Sequence, residues 1–195
     1  MGSREAILQA VQENKPSFTD LPTIDHSLAI RYPDKVQQFI QTMETAGAQV
    51  FYKNSQQHLL EDIQETKANG KFVIDLLEGE NAGDWKNMNA SELESLDTCY
   101  IRGLLGVAEN AAVWVTEKQM TNRLLPFICQ HLVLVLNSND IVNHMHEAYN
   151  QIDANAEGFG TFIAGPSKTA DIEQNLVIGA HGARSLRVYL LDGVT

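Results

Sequence analysis

The stretch that decides the fold is HLVLVL, residues 131–136, in which five of six positions are apolar. An amphipathic strand with one wet face alternates apolar and polar residues, whereas a strand covered on both faces of a parallel sheet reads as a continuous apolar run. Residues 131–136 therefore predict the central strand of an open, mostly parallel sheet. Working outward, SLRVYLLD (185–192) is a second long apolar strand at the end of the sequence, and TCYIRGLLGVAENAAVWVTE (98–117) reads as strand, tight turn at Glu109 and Asn110, and strand. Upstream, AQVFYK (48–53), SQQHLLEDIQETKANG (55–70) and KFVIDLL (71–77) read as a βαβ unit, its helix capped by Ser55 and stopped by Gly70.

The same alternation fills the rest of the chain. DKVQQFIQTMETAG (34–47) carries Val36, Phe39, Ile40 and Met43 at helical spacing. NSNDIVNHMHEAYNQI (137–152) predicts a returning helix capped by Asn137 or Ser138, and GTFIAG (160–165) predicts a further strand. The first 15 residues read as an amphipathic helix rather than a secretory leader, and residues 15–34, with three prolines, read as an extended arm. The expected architecture is a three-layer α/β/α domain with a Rossmann-like sheet over 34–195, preceded by a helix and arm over 1–33.

Composition narrows the function. The formal charge of −11, from 25 acidic against 14 basic residues spread along the chain, argues against a nucleic-acid partner, which would need clustered lysine and arginine. No apolar run approaches the roughly 18 residues of a membrane span, so a cytoplasmic protein is expected. The two cysteines, Cys99 and Cys129, lie far apart in apolar surroundings, and this chain alone cannot assemble a thiolate-rich zinc or iron–sulfur site. His144 and His146 are two apart and would diverge by about 200° on a helix, so no metal site is expected.

Three loops can carry chemistry. In GPSKTADIE (165–173), a helix starting near Thr169 at the carboxyl end of a strand would aim backbone N–H groups at the crevice, with Ser167 and Lys168 beside them to hold a carboxylate or phosphate. Equally, Ser167 or Thr169 is a cap and Asp171 and Glu173 simply complement the helix dipole. In GAHGARS (179–185), His181 with Gly182 and Arg184 offers a proton carrier and ligand contacts, or His181 bonds across the turn to Asp171. In GVAENAAVW (106–114), Glu109 with Asn110 supplies either an acid/base group or ordinary turn chemistry.

Taken together and in this order, LGVAENAAVWV (105–115) and GPSKTADIEQNLVIGAHGARSLRVYLL (165–191) resemble the lactate-utilisation protein C family, the LUD-domain proteins. These motifs cover about a fifth of the chain. The resemblance implies the fold of ribose-5-phosphate isomerase, glucosamine-phosphate deaminase, coenzyme A transferases and formyltetrahydrofolate cyclo-ligase. It also implies bacterial partner proteins carrying iron–sulfur clusters, with which the chain would oxidise L-lactate to pyruvate while binding no cofactor itself. The sequence departs from the family pattern at Ala111, where glycine is expected, and at Ala183, where proline is commoner. Glu109, Asp171 and His181 are thus the candidate catalytic groups, and Asn110, Ser167, Lys168, Thr169, Gly182 and Arg184 the candidate ligand contacts. An independent enzyme acting on an anionic metabolite and a non-catalytic interaction module stay open, as does a homo-oligomer.

Overall fold

The structure is a computed structural model that describes residues 2–20, 22, 25, 28–77, 84–153, 156, 158–170 and 176–193. Its elements in chain order are α1 (Ser3–Glu13), α2 (Lys35–Thr45), β1 (Gln49–Phe51), α3 (Ser55–Ala68), β2 (Val73–Asp75), α4 (Ala90–Leu93), β3 (Thr98–Arg102), β4 (Leu105–Val107), β5 (Val113–Thr116), α5 (Glu117–Met120), α6 (Leu125–Ile128), β6 (His131–Asn137), β7 (Ile141–Val142), α7 (Met145–Tyr149), β8 (Gly160–Ile163), β9 (Lys168–Ala170), β10 (Leu176–Ile178) and β11 (Ser185–Leu191). Five strands form a parallel sheet in the order β1-β11-β6-β3-β2.

The residue 131–136 run sits in the middle strand, as its composition dictates. Successive side chains of a strand point to opposite faces. Leu132, Leu134 and Leu136, with Leu186, Val188, Leu190, Cys99 and Ile101, enter one core, which includes Phe39 and Met43 of α2 and Leu125 of α6. Val133, Val135, Tyr100 and Tyr189 enter a second core under Leu59 and Ile63 of α3. Helices therefore cover both faces of an α/β sheet.

The strands of the expected βαβ unit, β1 and β2, lie at opposite edges of the sheet rather than side by side. Both are three residues long and partly exposed, whereas β3, β6 and β11 carry the apolar surface that needs cover on two sides. Ser55 is the first residue of α3 rather than its cap: its buried hydroxyl donates to the Leu190 carbonyl at 2.5 Å, tying the helix to β11.

A second sheet, β7-β4-β5-β8, was not legible in the sequence. The chain crosses into it at Gly103, whose N–H donates to Val135 of the central sheet while the next N–H, of Leu104, donates to Trp114 of the second. A Cβ on Gly103 would stand 2.5 Å from a Val113 methyl, so only glycine lets the two sheets meet there. GTFIAG accordingly pairs antiparallel with β5 and does not join the parallel sheet. The long helix expected over 137–152 is replaced by a 3-10 turn at Ser138–Asp140, strand β7 and the five-residue α7, because Ile141 and Val142 pair with Gly106 and Val107. The cap of α7 is His144, whose ring accepts from the Glu147 N–H at 3.3 Å. Asn137 caps only the 3-10 turn.

The helix α1 buries none of its residues. The arm after it is fastened to the body at Tyr32, whose N–H donates to the Asn143 side chain at 3.0 Å. No helix among the described residues is long and apolar enough to cross a membrane.

Candidate functional site

The 165–185 region folds differently from the helix its sequence suggests. Lys168–Ala170 form β9 and pair antiparallel with β10, register Thr169↔Val177, so Thr169 is a strand residue and not the start of a helix. Thr169 and Val177 are β-branched and suit a pleated ribbon. The Thr169 hydroxyl donates across it to the Val177 carbonyl at 3.3 Å. Asp171 lies outside the described residues, and with it the question of its contact with His181.

Backbone bonds stitch this ribbon to the loop before β11. The Ser167 N–H donates to Ala183 at 2.9 Å, the Gly179 N–H donates to Ser167 at 3.0 Å, and the Arg184 N–H donates to Gln130 at 2.8 Å. Gly182 lies against Ser167: an added Cβ would meet the serine Cβ at 3.2 Å. On the other side, Gly165 (φ +92°) turns close over Ala46, and the Lys168 ammonium donates to the Ala46 carbonyl at the end of α2. A cation on the last carbonyls of a helix answers its negative end. Lys168 is thus a helix cap across 122 residues of sequence.

These contacts enclose a cleft of about 290 Å³, at the small end of ligand pockets. Its floor is apolar, formed by Leu132, Leu186, Phe127, Phe162 and Ile163, and its rim is polar, formed by Ser167, Lys168, Thr169, His181 and Gly182. No carboxylate stands among the described residues that line it. It lies before β6 and β11, at the amino ends of the parallel strands, not at the carboxyl ends where an open α/β sheet usually places its site. The reason is local: the segments that build it, α6 and the loop 181–183, lead into β6 and β11, and β8 delivers the ribbon from the second sheet.

Five of the candidate residues, Ser167, Lys168, Thr169, His181 and Gly182, are therefore brought together. Glu109, Asn110 and Arg184 are not among the lining residues. The Glu109 carboxylate accepts from the Met145 N–H at 3.1 Å, at the first residue of α7, and Asn110 accepts from the Ala112 N–H at 3.1 Å in an Asx turn. Ala111 in that turn adopts φ +57°, a left-handed conformation. Arg184 is exposed, with its stem beside Gly179. The apolar half of the cleft was missed in the sequence. The signal was Pro126-Phe127 just before the central strand, where Phe127 stays 44% exposed.

Both cysteines are buried and free. Burial holds the Cys99 thiol well above its ordinary range and pushes Cys129 up to about 12. No group of three or more metal-ligating side chains occurs among the described residues. His144 instead faces Glu147 at 3.7 Å.

The sequence profile of the LUD domain matches residues 86–191, which include every residue lining the cleft. The chain belongs to the LUD domain family. Among curated relatives, this LUD domain is 33% identical to lactate utilization protein C of Bacillus pumilus over 92 residues, covering 44% of this chain and 38% of that protein. It is 28% identical to the lactate utilization protein C of Oceanobacillus iheyensis (44% and 40% covered) and of Geobacillus kaustophilus (50% and 42%). The match thus spans about two-fifths of the length of these relatives. A DUF162 family protein from Deinococcus radiodurans shares the fold, with a TM-score of 0.58 at 16% identity over 85% of this chain and 100% of that one.

Proposed function

We propose that this LUD domain serves lactate utilisation as one part of a system that oxidises L-lactate to pyruvate, with the iron–sulfur clusters carried by partner proteins. The observation that supports the reading is that the chain matches relatives named lactate utilization protein C, while its LUD domain match includes the residues that line the cleft. The chain's own chemistry supports the division of labour, because two buried thiols with raised pKa values are poor cluster ligands. In this reading the chain contributes the cleft, whose hydroxyl and imidazole rim receives a small carboxylate and whose apolar floor receives its hydrocarbon part. The test is deletion in the source cells followed by growth on L-lactate and affinity purification of the tagged protein. Loss of lactate growth and co-elution of iron-containing partners are expected. Unimpaired lactate oxidation in the deletion strain refutes the assignment.

A second reading, in which the cleft docks a partner's side chain, is favoured by exposed apolar surface in and beside it. Phe127, which lines the cleft, and Val177 and Ile178, on the strand paired with Thr169 and Lys168, remain 44%, 43% and 52% exposed. Charge substitution at Ile178 separates the two: docking predicts loss of co-purifying partner, whereas a ligand site tolerates it.

A further inference from the structure

On the opposite face of the central sheet, under the last turn of α3, lies a second cavity of about 180 Å³, lined by Thr66, Asn69, Lys71, Asp97, Thr98, His131 and Arg187. We propose that this cavity is a binding site for a small oxyanion, a phosphate or the phosphate or carboxylate end of a metabolite, held by Lys71, Arg187 and His131. It is independent of the lactate reading. The two cavities share the amino ends of β6 and β11 but take alternate residues of those strands, Leu132 and Leu186 for the first and His131 and Arg187 for the second.

The argument is an accounting of donors and acceptors. The acids at the site are already engaged. Asp97 binds the Lys71 ammonium at 2.9 Å through one oxygen and accepts from the Thr98 hydroxyl at 2.8 Å through the other. Asp62, behind Arg187, takes the Arg187 guanidinium at 2.7 Å and the Tyr100 hydroxyl at 3.0 Å. The donors are not exhausted. Arg187 lines the cavity with its guanidinium incompletely bonded: its Nε has no acceptor among the described residues, although that atom is itself shielded from solvent, so a ligand meets the rest of the group. Lys71 keeps two further N–H bonds; the single Tyr100 hydrogen goes to Asp62, so the Thr66 hydroxyl, 3.1 Å from the Tyr100 oxygen, spends its own hydrogen there and adds no donor to the cavity. His131 bonds Ser185 at 2.7 Å through Nδ1, so Nε2 is the ring atom left for a ligand. A cavity with donors to spare and its carboxylates satisfied fits a group made of acceptors.

The charges facing His131 are Asp97 on one side and Arg187, Lys71 and Arg184 on the other. Three cations around one histidine stand out in a chain of net charge −11. The C-terminal end of α3 faces the same space and opposes an anion, so binding rests on direct bonds rather than on the field. An oxyanion bonded there favours the imidazolium and raises the His131 pKa.

The experiment follows the His131 ring by NMR in the full chain while sodium phosphate, or separately acetate, is added at constant ionic strength. Exposed His58 serves as the internal reference. Saturation of the His131 shift with phosphate, and a loss of affinity of about threefold or more in Lys71→Gln, are expected for removing one partly exposed charge. Saturation by acetate as well extends the site to carboxylates; saturation by phosphate alone restricts it to phosphoryl groups. Arg187→Lys keeps a charge near Asp62 while removing the Nε fork, and serves as the second variant. A His131 response that drifts linearly in parallel with His58, or a saturating curve unchanged in both variants, overturns the proposal.

Discussion

Replacing Lys168 by methionine tests whether the most conspicuous cation of the GPSKT loop belongs to the fold or to a ligand. The Lys168 ammonium donates to the Ala46 carbonyl, and Ala46 is the C-cap of α2, so the substitution removes both a hydrogen bond and a positive charge from the negative end of an 11-residue helix. Methionine keeps the apolar stem that packs beside Gly47. A cation at an exposed helix C-terminus contributes about 0.3–1 kcal/mol. In a domain of this size 1 kcal/mol moves Tm by about 2–4 °C, so Lys168→Met is expected to lower Tm by about 1–4 °C. Because Lys168 is exposed, the loss shrinks as salt screens the charge. The assay is differential scanning calorimetry of the ligand-free protein at low and at high ionic strength. A Tm that does not change at low salt refutes the capping argument and returns the ammonium to the cleft as a ligand contact.

Gly160→Ala places a Cβ 2.3 Å and 2.4 Å from two atoms of the Trp114 indole, which is itself wedged against Phe162. Overpacking of this kind costs about 1–3 kcal/mol, so a urea midpoint clearly below wild type is expected, and an unchanged midpoint counts against the β5–β8 register. Burial, together with Arg187, Lys71 and Arg184 acting against Asp97, lowers the His131 pKa. A histidine whose folded pKa lies below its unfolded value of about 6.5 supplies stability above that pH and loses it as pH falls through the folded pKa. Tm is therefore expected to fall on acidification below about 6.5, less steeply in His131→Gln; an identical slope in that variant assigns the loss elsewhere. Cys99 and Cys129, buried and with raised pKa values, are expected to resist iodoacetamide at pH 8 and to alkylate fully in denaturant, as read by mass spectrometry. Rapid labelling of the native protein contradicts that burial.

The sequence by itself determined what depends on local composition. The run 131–136 suited a strand covered on both faces, and helix α2 followed from Val36, Phe39, Ile40 and Met43; the structure adds its cap, Asp34, whose carboxylate accepts from the Gln37 N–H at 2.9 Å. The pattern from Gly165 to Leu191 also pointed to the family, whose domain match spans residues 86–191. Tertiary structure decided what depends on competition between distant segments. Which strands take the centre of the sheet is settled by how much apolar surface each must cover, and this sends β1 and β2 to opposite edges. Thr169 becomes a strand residue because Val177 is there to pair with it, and Glu109 becomes a cap because the Met145 N–H is unanswered within α7. Ser167, Lys168 and Thr169 meet His181 across residues that no helical or strand period connects, and the apolar floor beneath them comes from Phe127 and Leu132. A side chain's type limits the bonds it can make. Only the packed chain chooses which of them it does make.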